Sequence, residues 1–354
     1  MQRRSRIWRP TRPPEPETAP PLRADAAGPG PEAFRLVSEP AARALGRDAD
    51  APLRMPWPGW KAVLRRTWFQ MISDRASLAA AGCAFYATLA LFPAISMLIS
   101  LYGLAFDPMT VEPHLEILRG LLAPPAVALI AERVHLLVTK PSSSLGVSLV
   151  ISTGVTIWST TTGTKSLIAA INLAYEEQER RGLLHYQLTA FALTILVILG
   201  AALGLAALVA LPALLGFLGV STNQKLLIQA ASIALTLVFV VLALSIIYRY
   251  GPCRNAAKWR WVTPGSILAT FLWVAASVLF SLYVSDFATY TVTYGSLGTF
   301  IGIMMWFFVS AYVVLLGAEL NAELELQTAR DSTEGPPKPM GSRGAYVADR
   351  IAED

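Results

Sequence analysis

Six long stretches with almost no charge dominate this chain: roughly 77–106, 145–173, 186–211, 226–248, 262–285 and 297–320. A helix needs about 20 mostly apolar residues to cross the hydrocarbon core of a bilayer, and each stretch meets that length. The expected fold is therefore all-α, a polytopic membrane helix bundle with six transmembrane helices. The chain is 54% apolar and 15% charged, with a mean hydropathy of +0.49, whereas a soluble domain carries roughly 25% charged residues. Pro93 predicts a kink in the first span, and Pro212 predicts the end of the third.

Basic residues set an orientation. Residues 1–75 carry fourteen Lys/Arg, the connection after the second span adds Arg180 and Arg181, and the connection after the fourth adds Arg249, Arg254, Lys258 and Arg260. The opposite side holds Arg119, Arg133 and Lys140 in one long loop, then Lys225, and no Lys/Arg between the fifth and sixth spans. Lys/Arg accumulate on the cytoplasmic side, so an even number of spans places both termini in the cytoplasm. The pI near 9.3 is explained by this bias, and no nucleic-acid partner is expected.

Outside the spans, residues 1–55 are Pro/Arg-rich and read as a disordered cytoplasmic tail; residues 327–354 are expected to be a second one. Residues 56–326 form the membrane domain. It opens with an interfacial helix in which Val63, Leu64, Thr67, Trp68 and Met71 share a face. Between the first two spans, residues 111–122 and 127–138 show helical apolar spacing on either side of Pro124-Pro125. They predict two short external amphipathic helices.

Lys165 is the one charge in a segment rich in hydroxyls, and an ionisable group in a span marks a partner or a pathway. Ser152, Thr156, Ser159, Gly163 and Ser166 recur on one face, with two readings: close helix packing, or a polar cavity wall. Lys165 lies about 30 Å from the outer start of its helix at 1.5 Å per residue, a depth from which lysine can snorkel. Glu319, on the sixth span, sits at a similar depth and is a possible partner. Glu323 lies one turn further along the same face, and Asn321 on another side. These carboxylates read either as helix-end solvation or as a cation- or proton-handling cluster. Lys165, Glu319, Glu323, Asn321, Ser152, Thr156 and Ser159 together make a candidate polar pathway. On the outer side, Tyr290, Tyr294, Gly295, Ser296 and Gly298 are candidates for an external gate, with an aromatic interface belt as the other reading.

Catalytic chemistry has little to stand on. His114, His135 and His185 are far apart, and Cys83 and Cys253 form no zinc-type or disulfide spacing. No cofactor, metal or nucleotide-binding motif is expected, and the chain does not read as an enzyme.

The succession Tyr294-Gly-Ser-Leu-Gly298, Trp306 and Gly317-Ala-Glu-Leu-Asn-Ala322 resembles the YihY/BrkB membrane protein family, which also carries a legacy ribonuclease BN-like label. Ala84-Phe-Tyr-Ala-Thr-Leu-Ala-Leu-Phe-Pro93, Ala170-Ile-Asn-Leu-Ala-Tyr175, and Tyr248-Arg-Tyr-Gly-Pro252 before Pro264-Gly265 match as well. The resemblance covers about residues 57–326. It implies a six-span inner-membrane protein with cytoplasmic termini, in agreement with the charge count. The function expected is transport or permeation of an ion, small solute or lipid across the bilayer. The alternative is a non-transporting envelope assembly or interaction protein whose polar residues only pack helices. Ribonuclease chemistry would need a metal-ligand set or paired carboxylates in a soluble site, for which the cytoplasmic loops are too short.

Overall fold

A computed structural model describes residues 43–105, 142–205, 222–286 and 296–352. Among these residues the chain forms seven α-helices: α1 Trp57–Ser73, α2 Ala76–Ala105, α3 Ser142–Ala174, α4 Leu183–Leu205, α5 Thr222–Tyr250, α6 Trp259–Asp286 and α7 Ser296–Gln327. The only β pairing among them is an isolated bridge between Ala257 and Thr333. Each expected span coincides with one of the helices α2 to α7, and the expected interfacial helix is α1. Helix α2 continues through Pro93. Pro212 and the two expected external helices lie outside the described residues.

Among the described residues, four helices are long and apolar enough to cross a membrane: Leu183–Gly200, Leu226–Tyr250, Trp259–Tyr283 and Phe300–Gln327. Helix α2 contributes a shorter apolar stretch, Ala76–Leu91, and α3 is diluted by its serines and threonines. No more than 22% of the residues in any of the four windows is buried. Their outward faces show side chains such as Leu199, Leu227, Leu235, Phe271 and Leu279. So much exposed apolar surface is tolerable only in lipid, and the chain is a membrane protein.

Helix α7 packs against α1, α2, α3 and α6, while α2 and α3 form the most extensive helix pair. Small residues make these approaches possible. A Cβ on Gly265 of α6 would collide with the carbonyl oxygen of Gly317 and the side chain of Asn321, and a Cβ on Gly317 would strike Tyr248 and Gly265. On α3, Gly163 faces Tyr86 of α2, and Ser166 accepts a hydrogen bond from the thiol of Cys83 at 3.6 Å. Thr164 of α3 meets Thr194 of α4 at 2.8 Å between hydroxyl oxygens.

Two expectations about the tails are corrected where the structure describes them. Residues 328–352 are not a free tail. Ala329 N–H donates to the Arg47 carbonyl, Lys258 N–H to Ser332, Glu334 N–H to Ala256 and Asn255 N–H to Gly344. Inside the segment, Arg343 donates to the carbonyls of Ala329, Lys338 and Ala348, and Asp349 accepts from Gly341, Arg343 and Gly344. These polar ties hold a stretch whose Pro/Gly-rich composition offers little apolar core. Residues 43–55, assigned to the first tail, also pack: Ala49, Pro52 and Met55 are buried, and the Leu45 carbonyl accepts from the Gln327 amide. Residues 1–42 lie outside the description.

Helix α1 differs in its buried face. Gly59, Val63, Thr67 and Met71 are buried, whereas Leu64 and Trp68, expected on the same face, are exposed. The four-residue step wins because this face packs on α7.

Candidate functional site

The charged connections converge at one end of the bundle, where the last two turns of α7 are polar and buried at once. Glu319, Asn321, Glu323, Glu325 and Gln327 are each no more than 5% exposed. A helix sorts such a row into faces by four-residue steps. Glu319, Glu323 and Gln327 fall on one face, Asn321 and Glu325 on another.

The first face meets α1, which offers Arg66, Gln70 and Asp74 at the same four-residue spacing and runs antiparallel. Arg66 Nε donates to Glu323 Oε2 at 2.6 Å and its Nη2 to Gln327 Oε1 at 2.6 Å. Gln70 Nε2 donates to Asp74 Oδ1 and to Glu176 Oε1, both at 3.2 Å. At the end of the ladder the carboxyl groups of Asp74 and Glu319 lie within hydrogen-bonding reach of each other. Asp74 Oδ2 and Glu319 Oε2 are both buried, and no N–H or hydroxyl donor reaches either. Burial, then the charge of Glu176, pushes the Asp74 carboxyl above its ordinary range. A buried unsatisfied acceptor costs about 1–3 kcal/mol, more when charged. Two such oxygens in contact are what a shared proton or a small cation would relieve.

The backbone around this acidic cluster is unusual. Arg75 and Glu176 adopt φ of 51° and 56°, a left-handed conformation that side chains with a Cβ rarely take. Glu176 closes α3: its N–H bonds to Leu173 and that of Glu177 to Asn172, the glycine-type helix ending built here on a glutamate.

The second face of α7 locks the neighbouring loops. Asn321 Oδ1 accepts from Gly265 N–H at 2.8 Å and Asn321 Nδ2 donates to the Val262 carbonyl at 3.0 Å, bridging α6 around Pro264. Glu325 accepts from Arg254 at 2.6 and 3.1 Å and from Ser332 at 2.6 Å, in an ion pair whose side chains are 1% and 0% exposed. Burial opposes the Arg254 charge, and Glu325 overrides it, so the guanidinium is held above its usual value. Asn172 joins α3 to the same assembly, accepting from Cys253 N–H at 2.7 Å and donating to Glu179 at 3.1 Å.

The residues singled out in sequence fare differently. Glu319, Glu323 and Asn321 are together at this end. Lys165 does not pair with Glu319: its ammonium lies 5.9 Å from the centre of the Tyr186 ring on α4, and the Tyr186 hydroxyl donates to the Lys165 carbonyl. Its part of α3 faces α4, while Glu319 faces α1. Thr156 is buried and Ser159 half-buried. The side chain of Ser152 is not described. On α3, Thr164 and Ser166 serve helix packing, the first of the two readings. Tyr290, Tyr294 and Gly295 lie outside the described residues. Ser296 begins α7, and Gly298 sits half-buried in its first turn. Sequence reading missed Arg66, Gln70 and Asp74. Their four-residue spacing was visible, but nothing in one segment shows that it faces another 257 residues away, as Arg66 faces Glu323.

These features define a polytopic α-helical membrane protein with an ion-paired, polar end. The chain belongs to the virulence factor BrkB family, which matches residues 67–341, from within α1 to the ordered segment after α7. A ribonuclease-like protein of Bacillus subtilis, YfkH, is 29% identical over 251 residues, covering 68% of this chain and 87% of YfkH. The UPF0761 membrane protein IL2447 of Idiomarina loihiensis is 35% identical over 106 residues, 30% of this chain and 36% of that protein. A third relative, UPF0761 membrane protein PSHAa0171 of Pseudoalteromonas translucida, is 38% identical over 71 residues, 20% of this chain and 24% of its own length. No solved structure matches the chain significantly.

Proposed function

We propose that this protein is an inner-membrane transport or permeation protein with six spans, α2 to α7, and both termini in the cytoplasm. Its cargo is an ion, a small solute or a lipid. The orientation rests on the Lys/Arg-rich connections, which meet at the end closed by Arg66–Glu323 and Arg254–Glu325. The observation that carries the function is the facing pair Asp74 and Glu319, whose oxygens Oδ2 and Oε2 are buried without a donor. Helix packing alone would gain from satisfying or removing such groups. Intramembrane carboxyls of this kind handle protons or cations in pumps and transporters.

A second reading is a non-transporting envelope assembly protein. The hydroxyls of α3 favour it, since Thr164 and Ser166 are used for helix contacts. In both readings the protein is not an enzyme. The ribonuclease-like wording belongs to YfkH and is not carried over to this chain.

Reconstitution decides between them. Purified protein in liposomes is expected to move protons, monovalent cations or labelled lipid faster than protein-free vesicles, with Glu319→Gln abolishing the flux while the protein still inserts. Equal flux for wild type, Glu319→Gln and empty vesicles would sink the transport reading.

A further inference from the structure

Helix α1 carries two apolar faces. Gly59, Val63, Thr67 and Met71 are buried on the side that packs against α7. On the far side Trp57, Leu64, Trp68, Phe69 and Ile72 share a sector of about 140°, taking about 100° per residue. Trp57, Trp68, Phe69 and Ile72 are 62–63% exposed, and a contiguous apolar surface of this kind marks an interaction site.

Lys61 and Arg65 stand one turn apart inside this stripe, both exposed. The Lys61 ammonium lies 5.8 Å from the centre of the Trp57 ring. Among the described residues the ion pairs of this neighbourhood are Arg54–Asp50, Arg260–Asp50 and Arg66–Glu323, which leave Lys61 and Arg65 unneutralised. Residues 51–73 contain no Asp or Glu. The acids at the end of the helix belong to its other side, Asp74 against Glu319 and Glu176 against Gln70. The outward stripe therefore carries two positive charges and no negative one.

Its surroundings say what covers it. Only Asp74 and Arg75 separate α1 from α2, whose exposed side chains include Leu78, Phe85 and Leu89. Residues 76–105 carry no charge at all, as contact with acyl chains requires. The α1 stripe instead interleaves indoles with basic residues. That mixture suits the headgroup layer, where tryptophan sits at the interface and the stems of Lys and Arg extend to phosphate. A second copy of the chain fits poorly, because a two-fold contact sets the same patch against itself and would bring like charges together. Basic amphipathic helices bind anionic lipid surfaces by adding charge attraction to apolar burial.

We propose that the outward face of α1 binds anionic phospholipid headgroups at the bilayer surface, with Lys61 and Arg65 on the phosphates and Trp57, Trp68 and Ile72 seated among the glycerol and upper acyl atoms. The inference concerns lipid contact and holds whether or not the protein transports.

The test places the full chain in phosphatidylcholine nanodiscs in which a minor fraction of the lipid is brominated, either phosphatidylglycerol or phosphatidylcholine of identical acyl chains. Bromine quenches nearby indoles, and the difference between wild type and Trp57→Phe/Trp68→Phe isolates these two. They are expected to be quenched about fivefold more by the brominated phosphatidylglycerol, as two basic residues at a headgroup surface would enrich it. Lys61→Gln/Arg65→Gln, which breaks no ion pair among the described residues, is expected to bring the two lipids level. Thermal melting of each variant reports folding, and Lys61→Gln alone serves if the double variant unfolds. Equal quenching by the two lipids in wild type overturns the proposal, as does an unchanged preference in the folded double variant. Indoles that neither lipid quenches would also overturn it: a protein surface would then cover the face, and a dimer mass in the same discs would mark that surface as a second copy.

Discussion

Asp74, at the end of α1, faces Glu319, in the penultimate polar turn of α7, carboxyl to carboxyl, with one oxygen of each buried and lacking a donor. The rest of the α1–α7 ladder is satisfied: Arg66 takes both Glu323 and Gln327, and Gln70 takes Asp74 Oδ1. The contact thus combines a satisfied ladder with an unresolved carboxyl pair, and the Thr67 hydroxyl on the same buried face also lacks a partner.

Asp74→Asn should raise the melting temperature at pH 8. Burial and Glu176 lift the folded Asp74 pKa above its ordinary value, so its contribution is complete below about pH 3.9 and is lost as pH rises through the folded value. Asparagine stays neutral and offers an N–H to Glu319. The gain over wild type is expected to disappear below about pH 4. A variant no more stable than wild type at pH 8 contradicts the facing geometry.

Glu179 has the opposite sign. The Arg181 guanidinium holds its carboxyl down to about 2. Its stabilisation is present above the ordinary carboxyl range, about 4.3, and fades as pH falls toward 2. Glu179→Gln is expected to melt below wild type at pH 7, with the two curves merging in strong acid. A constant offset across pH would mean that shape, not charge, links this loop to α5.

Breaking the buried Arg254–Glu325 pair by Arg254→Ala leaves an uncompensated carboxylate and should cost about 3–5 kcal/mol. Arg254→Leu/Glu325→Leu should recover much of that, because an apolar pair carries no desolvation penalty. Unfolding in graded detergent measures both. A double variant as unstable as Arg254→Ala would show that Ser332, which donates to Glu325, and the Tyr175 ring beneath the Arg254 guanidinium need the charges.

Gly265→Ala and Gly317→Ala should each destabilise by about 1–3 kcal/mol, since the added Cβ meets backbone across the α6–α7 crossing. Gly302→Ala, where a Cβ meets nothing within 4 Å, is the control and should melt like wild type.

Lys165→Glu and Glu319→Lys should not rescue one another. Lys165 lies over Tyr186 and Glu319 against Asp74, so the double reversal should be additive within about 0.5 kcal/mol. Restored membrane accumulation in the double variant would place the two charges in contact after all.

Much of this architecture is legible one segment at a time. The predicted segment 77–106 is helical as α2, Ala76–Ala105, and 145–173 as α3, Ser142–Ala174, because a long run of apolar and small residues favours one local conformation, the helix. Glu319, Glu323 and Asn321 were visible as polar residues at a span's end. Their partners were not. Arg66 and Asp74 lie about 250 residues upstream, and Lys165 matched Glu319 in depth without matching it in direction. Order after residue 327 was equally hidden, since Arg343 and Asp349 hold that segment through backbone groups that composition does not register.

The sequence by itself determined the long apolar helices and the connections in which basic residues gather, because hydropathy and charge patterning are local properties of the chain. Only the tertiary structure decided which polar groups meet: Asp74 with Glu319, Arg254 with Glu325, Asn321 with the Gly265 backbone. Helix rotation sets those pairings, and rotation is fixed by close contacts such as Gly265 on Gly317, where a single Cβ would force the helices apart.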